Sequence, residues 1–434
     1  MKNSILLVLL MLTASPAISQ YNTFSPYTRF GLGDLTKSGF GQNLAMGGTG
    51  IALHESDHLN YLNPAAYTAR DSMSVLFDFG LSSFLNQYET TSVKTQWWNG
   101  NFHHIALSVP IGKNFGMGTG LIPYSSVGYS IKQEYNDLGT GDPLDLYYTG
   151  DGGIMKYFLG VSGELFNRVS IGVNMNYLLG DINRQRFLSF PSQSDYATTE
   201  ALEEIQISNT YFGFGMQYNE VIADKFFFTL GGTYDLQTTF NSTINNSVLN
   251  TFPGNSTALT DSTYVNPEIQ VSGSDTVSGP ITIPSKLGVG IALGIPDKLI
   301  ITADYTLQDW ASASSMNNLL DNGGFNFVNA RSMNFGIEYT PDHEALRGFF
   351  KLISYRVGGY YSDNYISMDN YQMKDYGITF GVGLPMNKSK SSFNVAFTLG
   401  TRGTTEYNLV KENYGILTFS VTLHDLWFYK RKFD

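Results

Sequence analysis

The stretch that decides the fold is residues 417–424, LTFSVTLH, near the end of the chain. Its apolar residues alternate strictly with polar ones, whereas the apolar positions of an amphipathic helix recur every three or four residues. The same alternation recurs at 393–400, FNVAFTLG, and at 299–306, LIITADYT. A period of two predicts strands with one apolar face, and therefore a sheet protein.

About fourteen such runs follow one another along the chain, and antiparallel membrane barrels have an even number of strands. The predicted strands are 73–85, 102–111, 115–132, 154–165, 169–186, 205–219, 225–240, 282–294, 298–309, 331–340, 352–362, 375–385, 392–402 and 414–428. Tight turns alternate with connections that we predict to be long: 86–101, 133–153, 187–204, 241–281, 310–330, 363–374 and 403–413. This alternation favours an outer-membrane barrel over a soluble β-sandwich, whose turns are more even in length.

The aromatic residues at predicted strand ends agree with a barrel. Trp97, Trp98, Trp310 and Trp427 all lie there, where interfacial girdles form. We therefore predict an all-β fold, a transmembrane antiparallel β-barrel of about fourteen strands.

Composition excludes several other classes. The chain has 434 residues, no cysteine, 15% charged residues and a net charge of −11. The lack of cysteine excludes zinc ribbons, disulfide scaffolds and lipoprotein attachment. The acidic balance argues against a nucleic-acid partner, because binding phosphates needs concentrated positive charge.

The first residues predict export from the cytoplasm. Residues 1–20 begin with Lys2, continue with a short apolar run and end in small residues, as a secretory signal peptide does. The apolar run is shorter than a membrane-spanning helix requires. We expect the mature chain in the outer membrane of a Gram-negative cell, in contact with its lipids.

Residues 21–72 precede the first predicted strand and are rich in glycine. Apolar residues such as Phe30, Leu32 and Ile51 favour an ordered segment over a polar, disordered leader. We predict an N-terminal plug at 21–72 inside a barrel formed by 73–434, whose largest extracellular loop is 241–281.

Several short stretches resemble the FadL/TodX family of outer-membrane transporters. They are NLAMGGTG at 43–50, the Asn63-Pro64-Ala65 element of the plug, IPSKLGVG at 283–290, NFGIEY at 334–339 and YRVGGY at 355–360. The resemblance implies passive transport of hydrophobic compounds, such as long-chain fatty acids. It also implies capture at the extracellular loops, a pocket above the plug, and lateral release where the third strand is kinked.

The third predicted strand has residues suited to a kink. Pro123 cannot donate a ladder hydrogen bond, and Gly120 has no side chain to pack. The alternative is a harmless bulge at a strand end.

Other residues are candidates for ligand binding. Arg356 is predicted to face the lumen, where it would hold a carboxylate or instead pair with an acidic residue of the wall. Phe40, Leu44, Phe325 and Phe327 are candidates for lining the dry, aromatic pocket that an apolar ligand needs.

Enzymatic chemistry is not predicted. His54-Glu55-Ser56-Asp57-His58 has the spacing of a zinc protease motif, but the surrounding Gly and Pro residues leave no room for the required helix. His103 and His104 are adjacent in a strand and should point to opposite faces. We expect no catalytic residue, no metal and no cofactor.

A second function remains open. A barrel related to FadL can bind protein partners without transporting anything, as the PorV-like subunit of a secretion apparatus does. In a secretion or surface-assembly complex, loop 241–281 would then bind a protein. An apolar tunnel beside a kinked third strand would favour transport, whereas a sealed wall would favour the partner role.

Overall fold

The computed structural model describes residues 23–71, 73–136, 143–190, 197–222, 225–252, 268–316, 325–345, 347–368, 370–386 and 390–426. Its strands are β1 (Asp34–Leu35), β2 (Ser74–Glu89), β3 (Lys94–Pro110), β4 (Phe115–Asn136), β5 (Pro143–Leu165), β6 (Val169–Ser189), β7 (Thr198–Ile222), β8 (Phe226–Asp235), β9 (Thr238–Phe252), β10 (Glu268–Ile283), β11 (Lys286–Ile295), β12 (Leu299–Gln308), β13 (Phe325–Phe327), β14 (Ala330–Tyr339), β15 (Ser354–Met368), β16 (Tyr371–Pro385), β17 (Ser392–Arg402) and β18 (Lys411–Leu426). The helices are α1 (Gly41–Ala45) and α2 (Phe349–Leu352), with 3₁₀ turns at Pro26–Arg29, Pro64–Ala69, Trp310–Met316 and Glu406–Asn408.

The strands form a closed antiparallel barrel of fourteen, as the sequence predicts. Strands β8 and β9 form successive parts of one barrel strand, as do β10 and β11, and β13 and β14. Strand β1 belongs to the N-terminal part of the chain and pairs with β4. The barrel closes where β18 pairs with β2 from Lys411↔Glu89 to Leu426↔Ser74. Each predicted strand coincides with one barrel strand.

Side chains alternate between the two faces of the wall. In β6, Ile171, Met175 and Leu179 are exposed on the outside, while Ser170 and Asn174 are buried inside. Successive residues of a strand point to opposite faces, so the period of two in the sequence places apolar side chains outside. An apolar outer face and a polar interior are typical of a membrane barrel.

The strands are longer than predicted, and several predicted loops are wrong. Strands β2 and β3 together leave only 90–93 between them, so 86–101 is mainly strand, as are 133–153 and 187–204. The predicted loop 241–281 carries most of β9 and β10. These stretches carry polar residues on both faces. Strands that extend beyond the hydrocarbon layer need no apolar face, so hydrophobic alternation does not reveal them.

Residues 23–71, here called the N-terminal segment, pack against the inner face of the wall. Leu32, Met46 and Tyr67 are completely buried there. Four hydrophobic clusters join the segment to the wall. The largest includes Leu32 and Trp310, and the second includes Phe40, Tyr61 and Tyr67. Trp310 was predicted to lie in an interfacial girdle, but its side chain is buried in the first of these clusters. The predicted signal peptide at 1–20 and Trp427 lie outside the described residues.

Inward-facing glycines of the wall allow this close packing. A Cβ atom on Gly172 would lie 2.5 Å from the carbonyl carbon of Pro64, and one on Gly231 would lie 2.2 Å from the carbonyl oxygen of Ile51. Real Cβ atoms do not approach so closely. These glycines therefore form sites where the backbone of the N-terminal segment contacts the wall directly.

Among the described residues, none of the helices has the length and apolar character needed to cross a membrane.

Candidate functional site

The Asn63-Pro64-Ala65 element forms a turn that fixes the N-terminal segment to the wall. The Asn63 Oδ1 atom accepts a hydrogen bond from the Ala65 N–H at 3.0 Å, and Pro64 begins the 3₁₀ turn. Both residues are favoured at these positions, because the Asn side chain caps the turn and Pro lacks the N–H that would be unsatisfied. The Asn63 Nδ2 atom donates to the carbonyl oxygens of Ile51 and Met216, which ties the segment to β7.

A first buried ionic cluster lies where the N-terminal segment meets β17 and β18. Arg402 contacts Asp34 at 2.6 Å and Glu412 at 2.7 Å. The Ser25 hydroxyl donates to the same Glu412 at 2.5 Å. Asp34 and Ser25 belong to the N-terminal segment, so this cluster holds its first part against the wall.

A second buried cluster surrounds Arg356. As predicted, this arginine faces the lumen, and its side chain is almost fully buried. It donates to Glu338 at 2.6 Å and to Asn394 Oδ1 at 2.6 Å. Gln42 of the N-terminal segment donates to Glu338 at 3.1 Å. Of the two roles considered for Arg356, pairing with a wall carboxylate is the arrangement observed.

The residues of the zinc-protease spacing lie beside this cluster in an extended stretch without a helix. His54 Nδ1 is 2.8 Å from Gln217 Oε1, whereas His58 Nδ1 is 3.0 Å from Asp57. The two imidazoles therefore have different partners. Burial, together with the neighbouring Glu338 and Asp57, raises the pKa of Glu55 from its usual 4.5 to about 8.

Ligand atoms of Glu55, Asp57 and His58 lie within 4.8 Å of one another, a geometry that could hold a metal ion. The guanidinium of Arg70 donates to the carbonyl oxygens of Ser56 and His58, and Arg356 is 3.4 Å from His58 Nε2. Two cations already lie beside these groups.

The structure overturns the prediction for His103 and His104. A β-bulge between Gly80 and Leu81 adds one residue to β3, which turns both imidazoles toward the lumen. Their Nδ1 atoms are 2.7 Å apart, and His104 Nε2 is 2.5 Å from Asp78. Phe40 stacks on His104 with 4.0 Å between ring centres. Strict alternation along a strand cannot reveal a bulge, so this cluster could not be predicted from the sequence.

A cavity of about 360 Å³ lies in the lumen between the N-terminal segment and the wall. Its lining contains nine charged side chains: Asp34, Lys37, Asp235, Lys286, Asp304, Arg331, Asp363, Asp375 and Arg402. Leu44 also lines the cavity, whereas Phe40, Phe325 and Phe327 do not. Of the candidates predicted for an apolar pocket, only Leu44 therefore lines this cavity, whose aromatic lining residues are Phe84, Tyr360, Tyr365 and Tyr414.

The predicted aromatic candidates lie in packed clusters. Phe325 and Phe327 pack with Trp310 and Tyr365, and all four side chains are buried. Phe40 packs against Tyr61 and His104. Leu44 packs next to Ala396 of β17. The structure therefore does not bring Arg356, Phe40, Leu44, Phe325 and Phe327 together around one space.

The ladder between β3 and β4 covers only part of their length. It joins Ile105–Pro110 to Leu121–Gly116 and stops there. A register shift against β5 follows between Pro123 and Ser125, close to the predicted kink at Gly120 and Pro123. Beyond it, Asp34 and Leu35 of β1 pair with Ser126 and Ser125. The N-terminal segment thus takes the place beside β4 that β3 would otherwise occupy; we call this part of the wall the seam.

The closed antiparallel barrel of fourteen strands resembles the FadL-type barrels of outer-membrane channels. Three solved structures match it with a TM-score of 0.56 each. The CymD monoaromatic hydrocarbon channel is 12% identical, with 92% of this chain and 100% of that chain covered. The Ralstonia pickettii toluene transporter TbuX is 14% identical, with 89% and 98% covered. The P. putida toluene transporter TodX is 13% identical, with 91% and 99% covered.

The chain belongs to the BamG family, whose model matches residues 1–434. No curated protein matches the sequence. The resemblance to FadL/TodX is thus confirmed for the fold, while the family is BamG. At these identities the structural matches establish the architecture alone.

Proposed function

We propose that this chain is a partner barrel of the outer membrane, which binds other proteins of an envelope assembly and does not conduct hydrophobic compounds. The observation that carries the proposal is the charged lumen. Nine charged side chains line the cavity, and two buried ionic clusters join the N-terminal segment to the wall.

A charged cavity is a poor site for an apolar molecule. Small-molecule sites are mostly apolar with a few polar groups that fix orientation. An apolar ligand in this cavity would displace the water around charged groups and offer them no hydrogen bonds in return. These charged side chains are better solvated by water or by oppositely charged neighbours.

The ionic clusters also oppose opening of the lumen. Moving the N-terminal segment away would separate Asp34 from Arg402 and Gln42 from Glu338. This movement would break one contact of a largely buried ion pair and one buried hydrogen bond, and the loss of each contact opposes it. A transport cycle that moved this segment would need to overcome such a barrier without an energy source.

Uptake by reconstituted vesicles tests the proposal. Proteoliposomes containing the purified chain should take up radiolabelled oleate and toluene no faster than protein-free vesicles of the same lipid. TodX, a toluene transporter by its description, reconstituted in parallel provides the positive control. Saturable uptake by this chain, at a rate comparable with the control, would overturn the proposal.

Passive transport of hydrophobic compounds is the second candidate, and the seam favours it. The ladder between β3 and β4 ends at Leu121, next to Gly120 and Pro123, and a lateral exit would lie there. In this function Arg356 would hold a carboxylate head group, and Phe40, Leu44, Phe325 and Phe327 would contact the apolar part after rearrangement.

Small molecules that co-purify with the chain distinguish this candidate. Transport predicts a bound fatty acid or hydrocarbon that is lost in the Arg356→Ala variant and retained in Arg168→Ala, whose arginine is exposed at a turn. A preparation free of such molecules, with an unchanged barrel, would remove the support for transport.

A further inference from the structure

We infer that the cavity in the lumen is a binding site for a small dipolar molecule that carries a free ammonium group and a free carboxylate, such as a short peptide. The inference goes beyond the proposed partner function, because it concerns a ligand of the barrel interior. The charged side chains of the cavity lining fall into a paired group and an unpaired group.

Most of the charged lining residues neutralise one another. Six of them form three ion pairs: Arg402 with Asp34 at 2.6 Å, Lys37 with Asp375 at 3.3 Å, and Arg331 with Asp363. The other three, Asp235, Lys286 and Asp304, form no ion pair with any described residue. These three side chains therefore bring charges into the cavity that the surrounding described residues leave available.

The available groups lie on three neighbouring strands of the wall. Lys286 of β11 is directly opposite Asp235 of β8 on one side and Gln308 of β12 on the other. Residues in this relation have Cβ atoms about 4.5–5.5 Å apart and share one face of the sheet. An ammonium, a carboxylate and a carboxamide thus form one row in the cavity lining, beside the hydroxyl groups of Thr233 and Thr306.

Lys286 and Asp235 face each other across the ladder without forming an ion pair. Both side chains are half-buried, so water screens their charges less than it would on an open surface. Opposite charges that stay apart can each bind one end of a dipolar molecule through charge-assisted hydrogen bonds. Asp235 would accept from the ammonium group of the ligand, while Lys286 and the Gln308 amide would donate to its carboxylate.

Asp304 adds an unsatisfied acceptor to the same part of the lining. Its Oδ2 atom accepts hydrogen bonds from the N–H groups of Gly50 at 2.6 Å and Ile51 at 2.9 Å. Its Oδ1 atom has no hydrogen-bond partner among the described residues, although the residue is only 7% exposed. A buried acceptor without a donor costs free energy. The ammonium group of a bound molecule would supply the missing donor.

The cavity suits a short zwitterionic peptide in both size and charge. Its volume of about 360 Å³ lies within the range of about 300–1,000 Å³ that small-molecule sites occupy. Its lining has five carboxylates and four cationic side chains, a near balance that favours neither a net anion nor a net cation. A dipeptide has one charge of each sign, and its peptide group can form hydrogen bonds with threonine hydroxyls.

Isothermal titration calorimetry of the detergent-purified full chain tests the inference. The probe is alanyl-alanine, and the matched ligand is N-acetyl-alanyl-alanine amide, which lacks both charges. We expect the first to bind in a one-to-one ratio and the second not to bind. Asp235→Asn and Lys286→Met should each weaken binding roughly tenfold or more, because each removes a charge-assisted hydrogen bond. Lys298→Met, which changes an exposed lysine at the turn between β11 and β12, should bind like the native chain.

Three results would overturn the inference. Absence of binding by alanyl-alanine to the folded native chain would refute the site. Equal binding of the charged and the blocked dipeptide would show that the charges are not recognised. Equal affinity in the native chain and in both lining variants, with the heat-modified gel mobility of a folded barrel, would place the peptide elsewhere. None of these results bears on the partner function, which the uptake experiment tests separately.

Discussion

At the residue scale, two buried arginines belong to the clusters that hold the N-terminal segment in the lumen. Arg402 is shared between Asp34 and Glu412, and Arg356 is shared between Glu338 and Asn394. The sequence predicted that Arg356 faces the lumen, because Tyr355 and Val357 alternate with it. It did not predict which partners neutralise these charges, since Asp34 and Arg402 are brought together only by closure of the barrel.

Removal of the Arg402 charge should release the N-terminal segment. In Arg402→Ala, Asp34 and Glu412 lose their shared cation, and we expect the stability to fall by about 3–5 kcal/mol. Urea unfolding of the detergent-solubilised barrel, followed by tryptophan fluorescence, measures the change. The matched control is Arg168→Ala, whose side chain is exposed at a turn and should have little effect. Equal losses in both variants would contradict the assigned role of Arg402.

Glu55 should make stability depend on pH. Burial raises its pKa from 4.5 to about 8, so the folded chain holds a proton that the unfolded chain has released between these values. Stability from this group is complete below about pH 4.5 and is lost as the pH rises toward 8. The melting temperature of the native chain should therefore decline relative to that of Glu55→Gln as the pH rises from 5 to 9. Parallel curves for the two proteins would refute the shift.

At the element scale, wall glycines and one bulge shape the interior. Alternation along the strands predicted all fourteen barrel strands. Within the membrane, residues on the outer face are apolar and residues on the inner face are polar or small, so the sequence alternates with a period of two. It failed for the outer parts of β9 and β10, which are polar on both faces, and for His103, which the bulge turns inward. The glycines of the wall were recognised as small residues, but their contacts with Pro64 and Ile51 depend on a distant segment.

A pair of neighbouring glycines in β8 tests this role. Gly231→Ala would place a Cβ atom 2.2 Å from the Ile51 carbonyl oxygen and should destabilise the barrel by about 1–3 kcal/mol through overpacking. Gly232→Ala is the matched control, because nothing lies within 4 Å of its added Cβ atom. Denaturant midpoints of the two variants measure the difference. If Gly232→Ala loses as much stability, contact with the N-terminal segment is not the cause.

At the scale of the whole molecule, the barrel surrounds an interior that contains two buried ionic clusters. The solved channels that it matches share the fold at 12–14% identity. Nine charged side chains contribute to the lining of the cavity, and at the seam β1 of the N-terminal segment pairs with β4. The number of barrel strands could be predicted from the sequence. The charged cavity could not, because it is assembled from distant strands.

A disulfide across β1 and β4 would show whether the N-terminal segment must move. The chain has no cysteine, and Leu35 pairs directly with Ser125. Leu35→Cys with Ser125→Cys should form a single bond, since antiparallel partners lie at suitable separation. The oxidised and reduced forms should assemble equally with protein partners in the outer membrane, as native gels would show. Loss of assembly on oxidation, restored by a reductant, would mean that the segment has to open.

Native mass spectrometry of the chain released from its own outer membrane tests the central claim most directly. We predict a complex in which the chain and a second protein are present in a fixed ratio, with no hydrophobic small molecule retained in the barrel. A chain that appears alone and carries one fatty acid or hydrocarbon per barrel would contradict this account and favour transport.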